Sequence, residues 1–506
     1  MKYFSIIIIV IISVYNVSAQ RPLFKTYYHS TKPSISTGIP IRPYSILQSG
    51  NNFIIPAYYY TKGINNVYCV SLRPNGDTNW TNIYNFPISP VGYFSFPTLA
   101  YRIDDTVTFV NINEYGFGTS MLVLKKITVH GDTLYSDVVR NRDNQLSASF
   151  LQAAAVLPNE SYILGFSATF LPLTNNDSRY GVPGVFFANK MRQFQDTVLY
   201  DDIIPKGNKE LREYTTVEGI LPLKDKGFLV YGNRTYYVSL TSKAVYYGVY
   251  FLRIDSVGRK IWYKPRSLSR SESIYSNSVI ELDNGTIVCA LASAYTVVNG
   301  SQQIRCVVYD AEGNQQSDHS FYDAGASEFY VHGIVPMRDG GYIVYGGRNS
   351  IGERNRDSCA AYILKCSPDF EKQWSYHWES STKNQFGDRI RCALALENGN
   401  IFLAGHYGGN MFAGEMDVSV TSVDDENNTL LSSALYAKQR KVFTKRTPSD
   451  SEYISFYSML GEHLYTVPIM SEILLPDNIF RSHAPYLYRV YDKKNTIHAQ
   501  GTLFVE

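Results

Sequence analysis

Along most of the chain, hydrophobic positions come in short strand-length runs, each opened by a tight polar turn, and none of them recurs at helical spacing. Asn52-Phe53-Ile54-Ile55, Thr106-Val107-Thr108-Phe109, Ser161-Tyr162-Ile163-Leu164 and Gly227-Phe228-Leu229-Val230 are four such runs. Gly285-Thr286-Ile287-Val288, Gly341-Tyr342-Ile343-Val344 and Asn400-Ile401-Phe402-Leu403 are three more. Runs of this length, rich in β-branched and aromatic residues and bounded by Gly, Asn and Asp, predict strands. Their second positions, residues 53, 107, 162, 228, 286, 342 and 401, lie 54, 55, 66, 58, 56 and 59 residues apart. A second set of turns, at Gly76, Gly131, Gly258, Gly313 and Phe370, repeats at a similar interval, and Trp80, Trp262 and Trp374 each stand four residues beyond one of them.

The sixth repeat shows what one period contains. Val331 to Met337 runs into the Arg338-Asp339-Gly340 turn, Tyr342 to Gly346 returns, Ala361 to Lys365 follows, and Gln373 to His377 makes a fourth strand. A four-stranded antiparallel unit cannot bury both faces of its own sheet, so seven of them in sequence must pack on one another. The expected fold is therefore all-β, a seven-bladed β-propeller over residues 20–440. Stacked sandwiches are the alternative, but they do not repeat at a fixed period. Two strands compete to close the ring, Leu23 to Ser30 before the first repeat and Leu430 to Tyr436 after the seventh; the pattern does not choose between them.

The two ends of the chain differ from its middle. Lys2 precedes the apolar run Phe4 to Val14, and Val17-Ser18-Ala19 supplies small residues, so residues 1–19 read as a secretory signal peptide. That run is too short for the ~20 residues that span a bilayer. At the other end, Tyr453, Ile454, Phe456 and Tyr457 alternate into Met459-Leu460-Gly461, and a strand follows over Glu462 to Thr466. Ile473-Leu474-Leu475 leads to Tyr486-Leu487-Tyr488-Arg489-Val490, and the chain closes on Gly501-Thr502-Leu503-Phe504-Val505. An ordinary terminal β-sandwich fits this pattern. It also resembles the type A C-terminal sorting domain of the type IX secretion system, with Gly461, Tyr486, Tyr488 and Gly501 as the matching motif positions. Such domains open with Asn-Pro after an aromatic, whereas Val442-Phe443 is followed here by Thr444-Lys445-Arg446-Thr447-Pro448, which leaves the start open by several residues.

The resemblance implies an Ig-like C-terminal β-sandwich over residues 441–506 that engages the secretion machinery, and display at the outer-membrane surface or release from a Gram-negative cell. It also implies removal of that domain at the surface and, often, attachment to lipopolysaccharide.

Composition narrows the function classes. The 506 residues carry 47 basic and 45 acidic side chains, so no excess charge argues for nucleic acid or an anionic membrane. The 42 tyrosines suit strands and half-wet surfaces. Metalloprotease, nucleophile-elbow, Walker and dinucleotide-binding motifs are missing, and no catalytic residue, metal or cofactor is expected. Asp424-Asp425-Glu426 reads as a solvated turn rather than a calcium cluster. Of the six cysteines, Cys359 and Cys366 fall on one extended segment, and a turn at Asn299-Gly300 would place Cys289 opposite Asp310 and Cys306 opposite Ser293; most of the six read as buried thiols.

Function on a rigid scaffold usually resides in its long loops. Here these are the links around Tyr58 to Thr61, Phe166 to Pro183, Asn233 to Tyr247, Tyr295 to Asn299, Arg348 to Asp357 and His406 to Met411, placing Tyr59, Phe170, Tyr236, Tyr246, His406 and Tyr407 at one face. The expected function is a non-enzymatic binding module for a glycan, peptide or protein. The alternative is a secreted hydrolase or lyase acting on polysaccharide.

Overall fold

The computed structural model describes residues 24–29, 41–61, 64–85, 95–115, 119–140, 149–157, 161–170, 180–189, 194–203, 212–237, 245–266, 271–294, 302–323, 326–350, 359–378, 387–407, 410–418, 435–438, 441–444, 452–457, 463–468, 472–474, 476, 484–492 and 497–505. The signal peptide, the Asp424–Glu426 turn and Gly461 lie outside them, as do most residues of the long links. The fold is all-β, and among the described residues no helix is long and apolar enough to cross a membrane. The chain divides into one compact unit over Leu23–Ser419 and a second that contains Val420–Glu506.

Within Leu23–Ser419 the described strands form successive four-stranded antiparallel modules. Arg42–Pro43 and Leu47–Ser49, Asn52–Thr61, Ile64–Leu72 and Thr78–Asn85 make the first. Ser95–Ile103, Thr106–Tyr115, Thr119–Thr128 and Thr133–Arg140 make the second. The third runs from Ser149–Val156 to Phe194–Leu199 and the fourth from Arg212–Thr215 to Lys260–Pro265; a single parallel pair, Gly181 with Tyr214, joins them into one sheet. The fifth spans Ser271–Ser273 to Gln315–Phe321 and the sixth Ala326–Pro336 to Lys372–Trp378. The last holds Arg389–Ala395, Ile401–Tyr407 and Asn410–Met416, with Phe24–His29 from the start of the chain as its fourth strand. The choice left open by sequence therefore falls to Phe24–His29, while Leu435–Lys438 pairs with Lys441–Thr444 in the second unit.

Both turn families have a backbone reason. Gly76, Gly131, Gly258 and Gly313 sit at φ of 92°, 92°, 86° and 76°, the left-handed region where a side chain is penalised. Phe370 takes φ 60° at the equivalent place with a full side chain, and its ring lies between Tyr342, centroids 4.6 Å apart, and His319 at 4.9 Å. Stacking of this kind is worth ~0.5–1.5 kcal/mol and offsets the backbone cost.

The turn tryptophans explain the second register. Trp80 Nε1 donates to the Val129 carbonyl at 3.0 Å, and its ring fills the space a Cβ at Gly131 would need. Trp262 does the same between the fourth and fifth modules, donating to the Ala311 carbonyl at 3.1 Å and covering Gly313. Each outer strand thus grips the next module's turn. Apolar side chains from neighbouring modules fill the seams between them, and Phe53 of the first stacks on Phe402 of the last, 4.1 Å between centroids.

All six cysteines are buried and free. The hairpin in the fifth module pairs Cys289 with Val307 and Ala290 with Cys306, three positions from the register expected at Asn299-Gly300; burial of the flanking strands, not the turn dipeptide, sets it.

The second unit contains a three-stranded sheet, Leu435–Lys438, Lys441–Thr444 and Glu472–Leu474, and a four-stranded one ordered His463–Pro468, Glu452–Tyr457, Ala484–Asp492 and Ile497–Val505. Its first described strand, Leu435–Lys438, precedes residue 441. Tyr488 pairs with Phe456 on one side and Gly501 on the other, and Ile454, Phe456 and Tyr488 are buried. Tyr486 stands opposite Leu503.

Candidate functional site

The six residues expected at one loop face do not gather in loops. Tyr59 belongs to Asn52–Thr61 and is buried, its ring 6.3 Å from that of Tyr68 in the seam between first and last modules. His406 is fully buried within Ile401–Tyr407, and Tyr407 ends that strand, half-buried. Phe170 ends Tyr162–Phe170, and Tyr236 and Tyr246 face each other across the Phe228–Tyr237 and Val245–Ile254 hairpin. The loop placement is corrected: apolar alternation continues past the sequence-read strand ends, and pairing extends the strands into what had read as links.

A different set of polar residues converges on the first strands. Every module's first strand departs from regular pairing near its middle, among the described residues. The register slips between Pro97 and Leu99, Leu151 and Ala153, Val331 and Gly333, and Ile390 and Cys392. In the first, fourth and fifth modules the strand breaks outright, between Pro43 and Leu47, Thr215 and Gly219, and Ser273 and Val279. Such bulges bend a strand and re-aim a side chain. In three modules the cause is a glycine on the second strand. A Cβ at Gly232, Gly346 or Gly405 would overlap the carbonyl of Thr216, Tyr330 or Arg389 respectively, so only glycine lets the first strand fold over it. Two residues beyond each of those carbonyls stand Glu218, His332 and Arg391.

Tyrosines lock the arrangement. The Tyr345 ring occupies the place a Cβ at Gly333 would take, and the Tyr231 ring does likewise at Gly219. Tyr231 then donates to the Ser276 carbonyl of the fifth module, and the Ile334 amide donates to the Asn277 carbonyl at 3.0 Å. Asn233 ties the fourth module to the fifth, accepting from the Ile274 amide at 2.9 Å and donating to Glu218 at 3.0 Å.

The cluster so assembled is strongly basic. The Arg389 guanidinium carbon lies over the Tyr330 ring, 3.9 Å from its centroid, a cation–π contact that holds the guanidinium in place. Tyr330 in turn donates its hydroxyl to Glu328 at 2.5 Å, and Asn349 donates to the same oxygen at 3.0 Å. The Tyr275 and His332 rings lie 5.0 Å apart. Burial, then the charges of Arg391, Arg389, His406 and Arg42, hold His332 well below the ordinary imidazole range, so it is neutral at pH 7. Burial followed by Arg389 and Arg42 likewise disfavours the charge on Arg391. A guanidinium does not surrender its proton in a protein; the penalty remains as stored electrostatic free energy.

Burial pushes the Glu218 carboxyl up, while hydrogen bonds from Thr216 at 2.9 Å and Asn233 partly counter it. Among the described residues Arg389 and Arg391 make no ion pair with a carboxylate, and neither Nε nor His332 Nε2 has a hydrogen-bond partner. No group of His, Cys, Asp and Glu among those residues could hold a metal ion. Chemically, the arrangement offers donors and positive charge without a nucleophile–base pair.

One signal for this site was present in the sequence. Glu218, His332 and Arg391 each precede the module's second-strand glycine, Gly232, Gly346 or Gly405, by fourteen residues. Reading the glycines as strand ends rather than as relief for a neighbouring carbonyl conceals it.

No protein-family model matches the sequence, and no curated protein does either. Among solved structures, a Dyadobacter fermentans protein of unknown function is similar at 12% identity and TM-score 0.41, over 64% of this chain and 93% of its own. A Penicillium chrysogenum alpha-L-arabinanase is similar at 11% identity and TM-score 0.39, over 64% and 94%. Drosophila Semaphorin 2a is similar at 9% identity and TM-score 0.43, over 96% and 99%.

Proposed function

We propose that this chain is an exported binding protein of a Gram-negative cell. In this reading Leu23–Ser419 is a seven-bladed β-propeller, and the C-terminal unit is a β-sandwich that addresses it to the type IX secretion machinery. The propeller part of the reading rests on seven four-stranded modules in sequence order among the described residues, on the apolar seams between neighbours, and on Phe24–His29 completing the last module. The sorting part rests on the terminal motif alone, with Tyr488 and Gly501 paired across the final hairpin.

The observation that carries binding over catalysis is the convergence of Arg42, His332, Arg389 and Arg391 from first strands of separate modules, where His332, Arg389 and Arg391 keep unpartnered donors. Side chains on the first strands of a propeller line its central axis, and a site there is built on rigid strands. Polar donors kept buried at a stability cost are the mark of a ligand site.

Two experiments test the reading. Deleting Glu452–Glu506 leaves a folded first unit that accumulates in the periplasm, as cell fractionation of the truncation shows; normal surface display of the truncated chain overturns the sorting role. Binding of the full protein to arrays of glycans and to surface extracts of the producing cells identifies the ligand class, and absence of any saturable ligand overturns the binding role.

A further inference from the structure

We propose that Arg389, Arg391 and His332, together with Arg42, form a site for an oxyanion, the carboxylate, sulfate or phosphate group of a ligand. The inference rests on the binding reading above and specifies its chemistry. Guanidinium forks match the planar, multidentate acceptor geometry of an oxyanion better than any other side chain. Three arginines and a histidine come from first strands of the first, sixth and seventh modules. Arg389 of the seventh sits 3.9 Å from the ring of Tyr330, two residues before His332 in the sixth, and the charges of Arg391, Arg389 and Arg42 all act on His332.

Two carboxylates near the region, Glu328 and Glu218, are already committed to other donors. Glu328 accepts from Tyr330 and Asn349, and Glu218 accepts from Thr216 and Asn233. The same chain compensates buried arginines fully when structure alone is served. Arg266 and Arg305 share Glu272 and Asp318, with Arg266 to Glu272 at 2.8 Å and Arg305 to Glu272 at 2.7 Å. Arg389 and Arg391 lack such partners among the described residues, and His332, 5% exposed, presents a ring nitrogen with none. An oxyanion would accept from all three and remove the mutual repulsion.

Binding is then linked to a proton. In the empty site His332 is neutral, faced by Arg391, Arg389, His406 and Arg42 and stacked near Tyr275. A bound anion favours the imidazolium, so affinity rises as the pH falls through the region where His332 charges, by at most ~10-fold per pH unit for one proton.

The test follows the melting temperature and calorimetric binding of the full protein with sodium sulfate, sodium phosphate and sodium glucuronate, each against sodium chloride at matched ionic strength. At least one of the three raises the melting temperature saturably, and the responding salt identifies the oxyanion. Arg391→Met abolishes the response and, in oxyanion-free buffer, melts no lower than wild type, because it deletes a buried charge that lacks a counterion. Should that variant fail to fold, Arg391→Lys keeps the charge without the fork and weakens the responding anion by about 10-fold. No response to any of the three salts beyond chloride overturns the site. So does an Arg391→Met or Arg391→Lys protein that binds the anion like wild type. A neutral ligand found on the arrays that binds Arg391→Met unchanged defeats the oxyanion site and leaves the binding reading standing.

Discussion

Two clusters of buried arginine occupy neighbouring modules and are handled in opposite ways. Around the fifth module, Arg266 and Arg305 meet Glu272 and Asp318 in a closed square of two cations and two anions, extended by Tyr309 at 3.2 Å and Gln315 at 3.0 Å from Arg266. Burial opposes the Arg266 charge there, but Glu272 and then Tyr309 outweigh it, so the charge is favoured. Where the sixth module meets the seventh, Arg389 and Arg391 have an aromatic face and other cations for company, and burial and repulsion disfavour the Arg391 charge. Desolvating a guanidinium costs several kcal/mol wherever it happens. The chain supplies counterions in one place and, among the described residues, none in the other, and that contrast is what the proposed oxyanion site explains.

Breaking the square has the largest expected effect. Glu272→Gln leaves two buried arginines short of a counterion and costs about 3–5 kcal/mol, read as a fall in the denaturant midpoint at unchanged slope. A loss under ~1 kcal/mol would make the square no different from surface pairing. Next in size is the glycine that shapes the second cluster. Gly346→Ala drives a Cβ into the Tyr330 carbonyl, so we expect a loss of about 2–4 kcal/mol together with the oxyanion response, whereas Gly399→Ala, at φ 87° with open space around it, costs about 1 kcal/mol and spares the response.

A double-mutant cycle sharpens the contrast in sign. Coupling between Arg266 and Glu272 is favourable, and coupling between Arg389 and Arg391 is unfavourable, each on the order of 0.5–3 kcal/mol; like signs would erase the distinction. The pH dependence is smaller. His332 has a depressed pKa in the folded state, so its neutral burial contributes fully above the unfolded value of about 6.5 and is lost as the pH falls below it. Oxyanion-free protein therefore loses stability below pH ~6.5, with a slope of up to ~1.4 kcal/mol per pH unit from this residue, and His332→Gln flattens that slope. Smallest is the exposed pair Lys224–Asp283, 2.5 Å apart with Asp283 fully in solvent; Asp283→Asn leaves the melting temperature unchanged, the baseline against which the buried clusters are judged.

Seven repeats, their four-strand content and the positions of both turn families were legible in the sequence because they are local. A turn that demands left-handed backbone selects Gly at Gly76, Gly131 and Gly340, and a strand between buried faces selects runs such as Tyr342 to Tyr345. Even Trp80 and Trp262, fixed at one offset from their turns, announced a shared task before their partners Val129 and Ala311 were visible. The loop aromatics misled for the complementary reason. Tyr59, which is buried, looks like a rim residue only while strand length is judged from one chain segment at a time, whereas Tyr236 and Tyr246 pair at the end of their hairpin.

What the tertiary structure alone decided depends on residues far apart in the chain. Phe24–His29 completes the last module because Asn410–Met416 presents an open edge nearly four hundred residues later, and no pattern within either strand encodes that choice. The basic cluster is the same kind of fact. His332 and Arg391 share a fourteen-residue offset from a second-strand glycine, but that offset does not say which modules become neighbours; the bulges at equivalent places in separate first strands do their work only in the folded chain. Alternation along a strand says which residues are buried, but the balance of charge inside depends on which modules become neighbours, and only the folded chain settles that.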